Sequence, residues 1–163
     1  MKFLSIFLIS FGLLFLSPQK NEIPLEIGAK LPAKLVAKNK SRSINMIFTH
    51  TSQMRPFLRK EIKGVDYTIA YDSETREIKY INTKDEDFVT ADNLRVGSEI
   101  EVKKESFYII PQIEIRAPAT IDGWEPVVGN DAEDIDFKPN FVDKLKDGET
   151  TKVKITGFSK GGN

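Results

Sequence analysis

Between Val65 and Thr83 the chain alternates so regularly that few local structures fit. Val65, Tyr67, Ile69 and Tyr71 alternate with Asp66, Thr68, Ala70 and Asp72, and Ile78 and Tyr80 then flank Lys79. A period of two sends successive side chains to opposite faces of a strand. β-branched and aromatic residues suit that pleated surface. The connection Asp72-Ser73-Glu74-Thr75 carries Asp and Ser where their side chains can close a turn onto the backbone. The pattern predicts an antiparallel hairpin, with a strand over 65–71 and its partner over 77–83.

The rest of the chain supports the same class. Ile44 to Phe48 is a short apolar run between polar clusters and reads as a strand. Thr51 or Ser52 caps a predicted short helix reaching Ile62, with Met54, Leu58 and Ile62 at helical spacing, Pro56 in the first turn and Gly64 as terminator. Leu31, Leu35 and Val36 fit a short strand or a helical turn equally well. Phe88 and Leu94 read as core anchors around a turn made by Asp92-Asn93. Ser98 and Glu101 have capping-box spacing, which competes with a strand over 99–102.

Phe107 to Ile115 reads as one strand, confined to an edge or carrying a bulge because Pro111 cannot donate to a ladder. A loop-rich stretch around Trp124 precedes a terminal strand over 151–158, where Val153 and Ile155 face away from Lys152 and Lys154. The expectation is a mainly β chain, with a β-rich α+β arrangement as the variant. It is a single antiparallel sheet domain curled into a sandwich or half-barrel, with one or two short helices.

Lys2 followed by the uncharged, largely apolar run Phe3 to Leu16 has the layout of a secretory signal peptide. The run is shorter than the roughly 20 apolar residues a membrane span needs. The cut is less clear, because the small residue Ser17 is followed by Pro18. Residues 1–20 therefore read as a signal peptide, or as an anchor if uncleaved. An extended lead-in over 21–43, one globular domain over 44–158 and a flexible tail over 159–163 complete the expected organisation. The chain has no cysteine, which removes disulfides, thiolate metal sites and thiol catalysis. About 140 residues suffice for a single core without them.

The formal net charge is zero, with 24 basic and 24 acidic residues, so nothing pulls the chain toward nucleic acid. The charge is unevenly placed. Residues 27–60 hold Lys30, Lys34, Lys38, Lys40, Arg42, Arg55, Arg59 and Lys60 and no acid, whereas 122–149 are predominantly acidic. Such asymmetry marks an anion-binding face, or else two stretches that neutralise each other.

Catalytic inventory is sparse. His50 is the only histidine; with Ser52 or Ser43 it could form a nucleophile–base pair. Glu114, Glu125 and Asp122, near the sugar-stacking surface of Trp124, are the candidate carboxylates for a glycosidase. Asp131, Glu133, Asp134 and Asp136 invite a calcium reading, but the EF-hand spacing and its glycine are missing. No cofactor motif is present. Trp124 reads either as a recognition anchor or as a lid on one end of the core. These observations predict a small exported, non-enzymatic binding module of the bacterial envelope or exterior. Its expected contacts are Trp124, Lys34, Lys38, Lys40 and Arg42, and its expected partner is a protein or an anionic envelope component. A small secreted hydrolase is the alternative.

Overall fold

The structure, a computed structural model, describes residues 23–41, 45–48, 53–110, 114–129 and 140–161. The export-type segment therefore lies outside the described residues, and so do Arg42, Ser43, His50, Ser52, Pro111 and the acidic residues from Asp131 to Asp136. Among the described residues no helix is long and apolar enough to cross a membrane.

The chain is mainly β, and its principal sheet has eight antiparallel strands curled into a half-barrel. In chain order the elements are α1 (Ala33–Lys40), β1 (Asn45–Phe48), β2 (Met54–Ile62), β3 (Val65–Tyr71), β4 (Ile78–Thr83), β5 (Glu99–Lys103), β6 (Tyr108–Ile110), β7 (Glu114–Arg116), β8 (Glu125–Gly129), β9 (Thr150–Lys154) and β10 (Gly157–Lys160). The large sheet runs β1-β2-β3-β4-β10-β8-β7-β6, and β5 pairs with β9 in a separate ribbon.

The predicted hairpin is β3–β4. Its turn is closed as the residue types imply: Asp72 Oδ1 accepts hydrogen bonds from the backbone N–H of Glu74 at 3.0 Å and of Thr75 at 2.9 Å. Arg55 reaches across from β2 to Asp72 Oδ2 at 2.9 Å. Ile69 faces Ile81 across the hairpin, and both are fully buried in a core shared with Tyr67, Tyr71, Ile78, Phe88, Trp124 and Phe158. A second cluster, Val102, Ile115, Ala117, Val128 and Val142, lies toward the β7–β8 end. Ile100 of the β5–β9 ribbon packs against both clusters. The ribbon's other face is charged, with Glu99 opposite Lys154 and Glu101 opposite Lys152.

Four sequence expectations require correction. The helix expected to reach Ile62 is instead the nine-residue strand β2, paired with β3 from Phe57–Ala70 to Ile62–Val65. Met54, Leu58 and Ile62 are four apart, and four is a multiple of the strand period as well as near a helical turn, so the spacing did not discriminate. The strand expected over 107–115 is two strands, β6 and β7, paired with each other; a proline's missing donor is poorly suited to a continuous ladder. The terminal strand over 151–158 is divided between β9 and β10, which belong to different sheets, with buried Ile155 between them. The stretch around Trp124 expected to be loop-rich ends in strand β8, whereas at Ser98 the strand, one of the two competing readings, is the one formed, as β5.

The ends of the domain also differ from the expected organisation. The lead-in over 21–43 contains α1, whose Val36 is buried. Asn39 Nδ2 ties that helix to the sheet by donating to the Phe57 carbonyl at 3.1 Å and to Tyr71 Oη at 2.9 Å. Ser159 and Lys160, expected in a tail, are strand residues of β10, and Ser159 is fully buried.

Backbone donors hold the Asp72 carboxyl down at about 2, with Arg55 adding to the effect. A carboxylate whose folded pKa lies below its unfolded value stabilises the fold above the unfolded value and loses that contribution as pH falls through the folded one. Wild type and Asp72→Asn should therefore have converging urea midpoints as pH drops from about 4 to 2. A constant gap across that window would show that the Asp72 charge contributes nothing.

Candidate functional site

Two places on the molecule concentrate chemistry. The first is an open groove of about 670 Å³ between α1 and the tip of the β2–β3 hairpin. Ile23, Pro32, Leu35 and Ile62 give it an apolar floor. Lys34 and Lys38 line it from the helix, Lys60 and Lys63 line it from the hairpin, and Glu61 is the single acid among its lining residues. Lys34 and Lys38 are four apart and so share one helix face. The burial of Val36 on the other side turns that face outward. Lys60 and Lys63 are brought opposite them because β2 and β3 meet in a tight turn in which Lys63 (φ 54°) and Gly64 (φ 84°) both take left-handed backbone. Lys34, Lys38 and Lys60 have no ion-pair partner among the described residues.

Of the contacts expected from sequence, Lys34 and Lys38 are thus brought together on one groove. Lys40 is exposed at the end of α1, outside the groove lining, and Arg42 lies outside the described residues. Trp124 is elsewhere: it is 5% exposed, its ring 4.8 Å from Phe88 and 6.0 Å from Tyr67, with Lys160 Nζ 4.8 Å above it. It closes one end of the core. Sequence reasoning missed Lys60 and Lys63 as groove residues, because a helix ending at Ile62 would have aimed them differently.

The second place is a buried charge cluster at the junction of β4, β10, β8 and β7. Arg116, fully buried, makes ion pairs with Glu114 and Glu125 and donates to the Gly161 carbonyl at 3.0 Å. Tyr80 Oη donates to Glu114 Oε2 at 3.3 Å, and Ser159 Oγ donates to Glu114 Oε1 at 3.2 Å. Burial, reinforced by the Glu114 charge, holds the Tyr80 phenol well above its ordinary range, so it remains a donor. Two of the three carboxylates that suggested a glycosidase therefore share one arginine. The third, Asp122, is spent on loop structure, accepting from Thr120 Oγ1 at 2.6 Å and from the Ala91 N–H at 3.2 Å. Among the described residues no group of three or more His, Asp or Glu side chains is arranged to hold a metal ion.

Removing the arginine should strand a buried carboxylate. Arg116→Leu is expected to cost about 3–5 kcal/mol of stability in urea denaturation, whereas Arg116→Leu combined with Glu114→Leu should recover a good part of it. Equal losses in both variants would mean that packing volume, not charge, governs the cluster. No protein-family model, curated protein or solved structure matches the chain.

Proposed function

We propose that the protein is a small exported, non-enzymatic binding module, acting in a bacterial envelope or outside the cell, and that the groove between α1 and the β2–β3 tip is its contact surface. The observation that carries this reading is the groove's composition: four lysines against one glutamate, above an apolar floor. Like charges gathered on one surface repel each other, and an anionic ligand relieves that repulsion. The floor favours a ligand that also presents an apolar part, as an acidic protein segment or an amphiphilic envelope component does. The pairing of Glu114 and Glu125 with one buried arginine supports this reading over a carboxylate hydrolase, whose acid and base need access to substrate.

Capture from a cell-envelope extract by the full-length chain tests the proposal. Lys34→Glu with Lys38→Glu turns the groove from net three positive charges to net one negative. That variant should lose about ten-fold or more of the captured material. Glu101→Gln, on the exposed face of the β5–β9 ribbon and away from the groove, should retain capture. Binding that falls as salt rises past about 0.1 M would show that exposed charge drives it. Capture that survives the double substitution unchanged would remove the groove from the interface.

A further inference from the structure

The face of β2 opposite the groove bears a different site. Arg59 and Lys60 are neighbours on β2 and so point to opposite sides of the sheet. Arg59 stands beside Thr68 of β3, and Thr68 beside Asn82 of β4. The same row continues through Ser159 of β10 to Glu125 of β8. Five adjacent strands thus align five polar side chains, roughly 4.8 Å apart from strand to strand.

The open end of this row is a hollow of about 480 Å³, lined by Arg59, Thr68, Asn82, Lys84, Asp66 and Asp85, with Thr83 and Tyr67 completing it. That volume lies within the range of small-ligand sites. Some of the lining is already committed. Asp85 Oδ2 accepts from the Asp66 N–H at 2.8 Å and Asp85 Oδ1 from the Asp87 N–H at 3.0 Å. Thr83 Oγ1 donates to the Asp66 carbonyl at 2.8 Å. These bonds fix the walls.

Several other groups of the lining are unused. The half-buried side chains of Asn82 and Thr68, and the exposed side chain of Arg59, make no hydrogen bond among the described residues. An amide, a hydroxyl and a guanidinium without protein partners are open to hydrogen bonds from a ligand.

We infer that this hollow is a binding site for a neutral, polyhydroxylated ligand of the saccharide class. Arg59 and Lys84 are offset by Asp66 and Asp85, so the site has no net charge with which to select an ion. What it offers is a dense set of donors and acceptors at neighbouring positions. An amide, a guanidinium fork, a carboxylate and the Thr68 hydroxyl together match the adjacent hydroxyls of a sugar ring, each of which both donates and accepts. The inference is independent of the lysine groove, since the two sites lie on opposite sides of β2.

Titration of the ¹⁵N-labelled full-length chain with two neutral probes, cellotetraose and the tetramer of N-acetylglucosamine, tests it. At least one probe should shift the Asn82 side-chain amide and the Thr68 backbone signal. Affinity for that probe should fall about ten-fold in Asn82→Ala and also in Thr68→Val, which keeps the side chain's shape. Lys34→Glu should leave it unchanged. Any of three results would overturn the assignment: no shift with either sugar, shifts that persist in both hollow variants, or a stronger response to the zwitterion glycylglycine than to the sugars. Retained signal dispersion in Thr68→Val separates lost binding from lost folding.

Discussion

Arg116 carries a full positive charge into a place from which water is excluded, and much of the sheet is arranged around making that tolerable. The guanidinium is compensated only when β7 supplies Glu114, β8 supplies Glu125 and the residue after β10 supplies the Gly161 carbonyl. Leaving such a charge without its partners costs several kcal/mol, whereas the assembled cluster adds little net stability over an apolar core of equal volume. What the cluster joins is the placement of β7, β8 and the end of β10 around one guanidinium. Gly161 shows how closely that placement is set: a side chain there would approach the Lys79 carbonyl to 2.6 Å, and its φ of 87° is one that other residues rarely adopt.

The two surfaces proposed for binding follow from the alternation of β2 and β3 together with the packing of α1. Burying Val36 and anchoring Asn39 to Phe57 and Tyr71 leaves Lys34 and Lys38 on the free side of the helix. The hairpin tip then brings Lys60 and Lys63 opposite them. Across the sheet, small and polar residues occupy the row from Arg59 to Asn82, while the core claims Tyr67, Ile69 and Ile81. The unlike character of the two surfaces is thus a direct result of the strand period.

Part of this was legible in the chain itself. The β3–β4 hairpin and the Asp72 turn could be read because both the alternation and the turn chemistry are local. The export-type opening is equally local, but it lies outside the described residues. β2 was misread because a four-residue spacing serves helix and strand alike, and its six-pair register with β3 decides between them only once the two are side by side. The division of β9 from β10 was hidden for a similar reason: which sheet a strand joins depends on residues far away in the chain. Of the candidate site, the sequence marked Lys34 and Lys38 through the missing acids between Ile27 and Lys60. It gave no sign of the hollow beside Asn82, whose lining comes from three strands and the loop after β4. Trp124 attracted attention by its chemistry, but Phe88 and Tyr67 account for its position.

The order of strands has a consequence in time. β10 comes last among the described strands, yet it sits between β4 and β8 in the middle of the large sheet. A ribosome delivers the amino-terminal part first, so β1 to β4 can pair early while β4 waits with an unfilled edge. Not until β10 and Gly161 emerge can the two halves join and Arg116 receive its last partner. Premature closure is thus forbidden by connectivity alone. For a protein bound for export, as proposed above, late closure keeps the chain loose enough to thread through a narrow translocation pore before it locks.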